Sequence, residues 1–141
     1  MIFDFRNLTR SKVKKNFFHG IAKKLVRLQI ALRNFEISLV LVDNARIRRL
    51  NREYRGEARI TDVLSFNLGN PDGNQIAEIF ISVEQARLQA KEMGHSLKQE
   101  LSILFIHGLL HILGYNDRVK EDKIKMFKEQ DKIFKSIKDV F

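Results

Sequence analysis

With 141 residues, 44% of them hydrophobic, the chain can bury one ordinary core, and its composition excludes a disordered protein. It contains no cysteine, which excludes disulfides and thiolate metal sites and leaves nitrogen and oxygen as the only ligands for a metal. The 26 Lys+Arg against 17 Asp+Glu give a net charge of +9, which suits a polyanionic partner as well as it suits a generally lysine-rich protein.

No apolar run approaches the ~20 residues of a membrane span. The N-terminal MIFDFRNLTR lacks the basic-then-apolar layout of a secretory signal, so a cytoplasmic protein without membrane contact is expected.

Ile2–Phe5 alternates weakly and is expected to form a first, edge strand. Ser11 is placed to cap a helix running to about Gln29, with Val13, Phe17, Ile21, Leu25 and Leu28 on one face. Phe35–Val42 is rich in branched apolar residues and reads as a buried strand. Asp43 then caps a helix with Ala45, Ile47, Leu50 and Tyr54 as its apolar members. Two strands follow, Asp62–Asn67 and Ile76–Ser82, joined across the turn-forming Gly69-Asn70-Pro71-Asp72-Gly73. Ser82 opens a helix that Gly94 ends. Ser96 caps the next, with Gln99 completing a capping box, and Gly114 stops it after Leu113. A charged amphipathic helix covers about Val119–Val140, with Ile124, Phe127, Ile133, Phe134 and Ile137 as its apolar side.

The order β-α-β-α-β-β-α-α-α predicts an α+β fold, a four-strand mixed sheet with about five helices, formed by residues 1–141 as one domain. The helix Leu97–Leu113 is apolar nearly all round and is expected to be the buried central helix.

That helix carries His107 and His111. A spacing of four residues puts both imidazoles on one face, close enough to share a metal. Leaving two such groups buried without partners costs on the order of 1–3 kcal/mol each, which a metal would offset. Gly108 between them costs roughly 1 kcal/mol relative to alanine in mid-helix. It points either to a close approach between the histidines or to tight packing on the sheet.

Gly114 lets the chain reverse, and Asp117 follows three residues later. The pattern His-x-x-x-His-x-x-Gly-x-x-Asp supplies three ligands and leaves a fourth position open, the layout of a catalytic zinc site. Asp117 is also placed to cap the last helix. Metzincin proteases share this layout but carry a glutamate after the first histidine as general base. That position is Gly108 here, which disfavours a peptidase.

The stretch His107-Gly108-Leu109-Leu110-His111-Ile112-Leu113-Gly114-Tyr115 resembles the signature of the YbeY-type family of bacterial ribosomal-RNA maturation endonucleases. A second block, Asn51-Arg52-Glu53-Tyr54-Arg55 followed by Thr61-Asp62-Val63-Leu64-Ser65-Phe66, resembles another of its motifs, and the likeness covers about residues 35–120. The chain departs from the family pattern at Asp117, where histidine is usual, and at Ala77-Glu78, where Gly-Asp is common. Carboxylate oxygen is a competent zinc ligand, so the site is expected to survive, less positive and with a less acidic bound water.

The resemblance implies one zinc per chain held by His107, His111 and Asp117. It also implies single-strand-specific endoribonuclease action in 16S rRNA 3′-end maturation and ribosome quality control. The implied partners are rRNA, ribosomal particles and ribosomal or GTPase assembly proteins. Arg55 is the implied catalytic arginine, in agreement with its place in a polar loop where a planar guanidinium can grip a phosphate. Arg59 joins Arg55 as a candidate for substrate binding, with a solvated loop charge as its alternative role. Since no general base is apparent, the competing reading is a non-catalytic, metal-containing ribosome-assembly factor.

Overall fold

The computed structural model describes residues 2–69, 73 and 75–138. The chain runs β1 (Phe3–Asn7), α1 (Lys15–Leu28), a 3-10 turn (Ile30–Asn34), β2 (Phe35–Val42), α2 (Asn44–Arg55) and β3 (Val63–Gly69). It continues through β4 (Gln75–Ser82), α3 (Val83–Met93), α4 (Leu97–Ile112) and α5 (Lys120–Ile137). The sheet order is β1-β2-β4-β3, with β1 and β4 parallel to β2 and β3 antiparallel to β4. The fold is therefore α+β on a four-strand mixed sheet, and β1 is an edge strand, as expected. Within the expected β3–β4 turn, Asn70, Pro71 and Asp72 lie outside the described residues, as does Val140 at the expected end of α5.

The near-continuous apolar run of β2 arises because both of its faces are covered. Ile37, Leu39 and Leu41 join Ala77, Ile79 and Ile81 of β4 in the larger core, beneath α1, α4 and α5. Val40, Val42 and Phe80 point the other way and pack with Ile47 of α2 and Leu64 of β3. Ala77 is fully buried in the larger core.

Helix α4 starts at a complete capping box, in which Ser96 accepts from the Gln99 backbone and the Gln99 side chain from that of Ser96. It touches α1, α3, α5, β3 and β4, and Leu101, Phe105, Ile106, Leu109 and Leu110 are buried in the core. Each such side chain contributes about 1.5–3 kcal/mol relative to exposure. Gly108 faces the sheet, where an added Cβ would stand 3.1 Å from Ile79 Cγ2 and 3.4 Å from Val63 Cγ2. Of the two roles considered for this glycine, tight helix–sheet packing accounts for it. The close approach sets the two histidines beside β3.

The structure corrects four local expectations. Ser11 does not cap α1, whose N-cap is Lys14. Its amide is held instead by Thr9 Oγ1 and its carbonyl by Asn7 Nδ2, a local turn that competes with helix. The inner face of α1 is built on Phe18, Ile21, Ala22 and Leu25, while Leu28 is exposed. Tyr54 projects to solvent rather than into the core. The inner face of α5 is Met126, Ile133 and Ile137, with Ile124 and Phe127 exposed. In these helices an apolar stripe fitted several phases, and the position of the sheet selected one.

Candidate metal centre and its cleft

The last turn of α4 ends in a Schellman arrangement. Gly114, at φ 102°, donates to the His111 carbonyl at 3.1 Å, and Tyr115 donates to the Leu110 carbonyl at 3.1 Å. This reversal returns the chain to the histidine face and brings Asp117 beside it. Asp117 caps nothing, because the N-cap of α5 is Val119, without a side-chain hydrogen bond.

His107 Nε2 and His111 Nε2 lie 3.0 Å apart. Asp117 Oδ2 stands 3.9 Å from the first and 3.8 Å from the second. Ligand atoms ~2.0–2.1 Å from a tetrahedral zinc would be ~3.3 Å from one another. The observed triangle has about that size, and its atoms are two imidazole nitrogens and one carboxylate oxygen. The donor set fits a single divalent ion. The group is only half-buried, more open than the all-apolar helix suggested, and its free side opens into a cleft of about 960 Å³.

Burial pushes the His111 pKa down, and the His107 imidazole adds to this, while Asp117 and the Tyr115 backbone pull it up. The net effect favours the neutral form, which is the one that binds metal.

Gln130 was not found from sequence. Its Oε1 lies 2.8 Å from His107 Nδ1, where it accepts the ring proton and leaves Nε2 as the free lone pair. The signal was present, since Met126, Gln130, Ile133 and Ile137 share one helical face and Gln130 is the polar member of an inward stripe.

Arg55, Arg59, Asp62 and Ser65 line the same cleft. Arg55 is the last residue of α2, its Nη2 donating to the Ser65 carbonyl at 3.3 Å and its guanidinium standing 5.7 Å from the centre of the Phe66 ring. Arg59 is at the rim, paired with Glu57 at 2.9 Å. Asn51, also missed, is 2% exposed and donates to the Arg59 carbonyl at 3.1 Å, pinning the loop that follows Arg55. Glu78 is not among the cleft residues.

Residues 4–138 match the family described as Endoribonuclease YbeY. The chain belongs to the YbeY family. It is 41% identical over 127 residues to Endoribonuclease YbeY of Sulfurihydrogenibium sp., covering 87% of this chain and 83% of that one. It is 45% identical over 128 residues to Endoribonuclease YbeY of Desulfitobacterium hafniense, covering 84% and 81%. The solution structure of a protein from Thermotoga maritima superposes with a TM-score of 0.63 at 26% identity, over 94% of this chain and 87% of that one. Among the described residues, no helix is long and apolar enough to cross a membrane.

In this YbeY chain Asp117 stands alone outside the helix, so its contribution can be measured separately. Asp117→Ala is expected to weaken metal binding by at least about tenfold, the lower end of losses when a residue that only supports a ligand is altered. Asp117→His, which replaces the carboxylate with a third imidazole, should still bind metal. Competition titration against a chelating dye reads both, and equal affinity for wild type and Asp117→Ala would remove Asp117 from the site.

Proposed function

We propose that this protein is a zinc-dependent, single-strand-specific endoribonuclease acting on ribosomal RNA in the cytoplasm, with 16S rRNA 3′-end maturation and ribosome quality control as its setting. Residues 1–141 would act as one domain. The observation that carries this reading is the convergence of His107, His111 and Asp117 on the floor of a cleft whose wall holds Arg55. Relatives named endoribonucleases and a charge of +9 support it.

His107, His111 and Asp117 would hold the ion. When bound there, a divalent metal supplies Lewis-acid polarisation of a phosphoryl oxygen. Gln130 keeps the His107 ring in the coordinating tautomer. Arg55 presents a planar fork to the phosphate and offsets charge that grows as the phosphodiester is attacked. The Ser65 carbonyl and the Phe66 ring fix the guanidinium at the cleft wall, so little ordering remains to be done when RNA arrives. Arg59 serves as a rim contact to the backbone of the strand.

The test is turnover on single-stranded RNA with and without chelator, followed by zinc restoration. Cleavage that disappears with chelator and returns with zinc supports the proposal. Undiminished RNA binding with no cleavage under any metal condition would favour the non-catalytic assembly factor instead.

A further inference from the structure

Across the edge strand β3 from the cleft, three aromatic rings lead from the core to solvent. Phe80 is 9% exposed and packs edge-on against Phe66, with centroids 6.1 Å apart. Phe66 in turn packs against Tyr54, with centroids 5.3 Å apart. Tyr54 is 66% exposed. Tyr54 is thus held outward on Phe66, which itself rests on Phe80, and leaves a large ring exposed to solvent. The Arg55 guanidinium rests over the same Phe66 ring and lines the metal cleft. The outer ring and the phosphate-gripping arginine therefore share one support.

Arginines dominate the α2 flank beside this step, with Glu53 on α2 and Glu78, the cross-strand neighbour of Phe66, as the nearby carboxylates. Arg48, Arg52 and Arg55 recur at spacings of four and three along one flank of α2, and all three are exposed. Among the described residues none of them has a carboxylate partner. Like charges at this spacing disfavour the isolated helix. The row becomes favourable when a polyanion lies along it. A base has a flat face for Tyr54, and its phosphate has oxygens for the arginines. A single RNA strand offers both at the required alternation, whereas the bases of a duplex are already stacked on one another.

The geometry points to Tyr54 as a nucleobase-stacking platform across the edge strand β3 from the metal cleft, buttressed by Phe66 and Phe80, that seats an unpaired base of the RNA strand whose phosphate is gripped by Arg55 where it reaches over that edge into the cleft. This rests on the endoribonuclease reading above and adds to it a basis for choosing single strands. Arg48 and Arg52 carry the strand onward along α2.

The experiment measures binding of a short single-stranded RNA by fluorescence anisotropy in the presence of chelator, for wild type, Tyr54→Ala and Tyr54→Phe. A second strand of equal length and charge carries abasic sites in place of bases. Melting temperatures of all three proteins check the fold. Tyr54→Ala is expected to weaken binding of the ordinary strand by roughly fivefold or more, the scale of one lost base–aromatic stack. Tyr54→Phe keeps the ring and should stay within about twofold of wild type. On the abasic strand the three proteins should bind alike. Equal binding of the ordinary strand by wild type and Tyr54→Ala would overturn the platform while leaving the ribonuclease reading intact. So would a Tyr54→Phe loss as large as that of Tyr54→Ala. A wild type that neither binds nor cuts RNA overturns the ribonuclease reading, and the platform falls with it.

Discussion

His111→Ala is expected to leave the purified protein without stoichiometric metal and without RNA cleavage. The His111 Nε2 atom lies 3.0 Å from His107 Nε2 and 3.8 Å from the Asp117 carboxylate, so it forms two of the three edges of the ligand triangle. Its removal leaves two donors, one of them on an exposed loop. Altering a residue that only supports a metal ligand costs about 10–100-fold in affinity, and losing a ligand outright should exceed that range. The fold should survive, because the His111 side chain is 29% exposed and the core contacts of α4 are made by its neighbours. Elemental analysis, melting temperature and cleavage rate on a single preparation check this result. Full metal content in the variant would show that these three side chains are not the metal site.

Arg55→Ala is expected to separate activity from stability. The side chain is exposed, and its hydrogen bond to the Ser65 carbonyl and its contact with Phe66 are both made at the surface. Removing such a residue usually changes stability by within roughly 0.5 kcal/mol. Losing a donor that stabilises developing charge costs on the order of a hundredfold in rate. The variant should therefore match the wild type in metal content and melting temperature while cleavage falls steeply. Arg55→Lys should recover only part of the rate, since lysine keeps the charge but loses the planar fork. Binding of uncut RNA should weaken less than cleavage, because on the reading proposed above Arg48, Arg52 and other cations would share the backbone contacts. Unchanged cleavage in Arg55→Ala would remove the residue from the site, and a collapsed melting temperature would make it structural.

Much of the candidate site was legible in the sequence because it is local. His107 and His111 are one helical turn apart, and Gly114 ends the helix, so Asp117 needs only a short reversal to reach them. Gln130 escaped notice because it is brought in by α5, 23 residues away from His107. Asn51 escaped because a buried amide looks like any polar residue of a helix until its acceptor, the Arg59 carbonyl, is located.

The order of elements, the mixed sheet, the caps at Asp43, Ser82 and Ser96 and the spacing of the two histidines were determined by the sequence itself. They depend on periodicity, turn chemistry and contacts between near neighbours, which are readable along a chain. Which phase of an ambiguous stripe turns inward was decided only by the tertiary structure. Phe18 is buried where Phe17 is half-exposed, Met126 where Phe127 is exposed, and Tyr54 points to solvent beside a buried Asn51. Both phases satisfy helical spacing, and the choice follows from where the sheet and the neighbouring helices leave room. For the same reason, only the packed fold showed that Gly108 yields to Ile79 and that Arg55 and Tyr54 share the Phe66 ring.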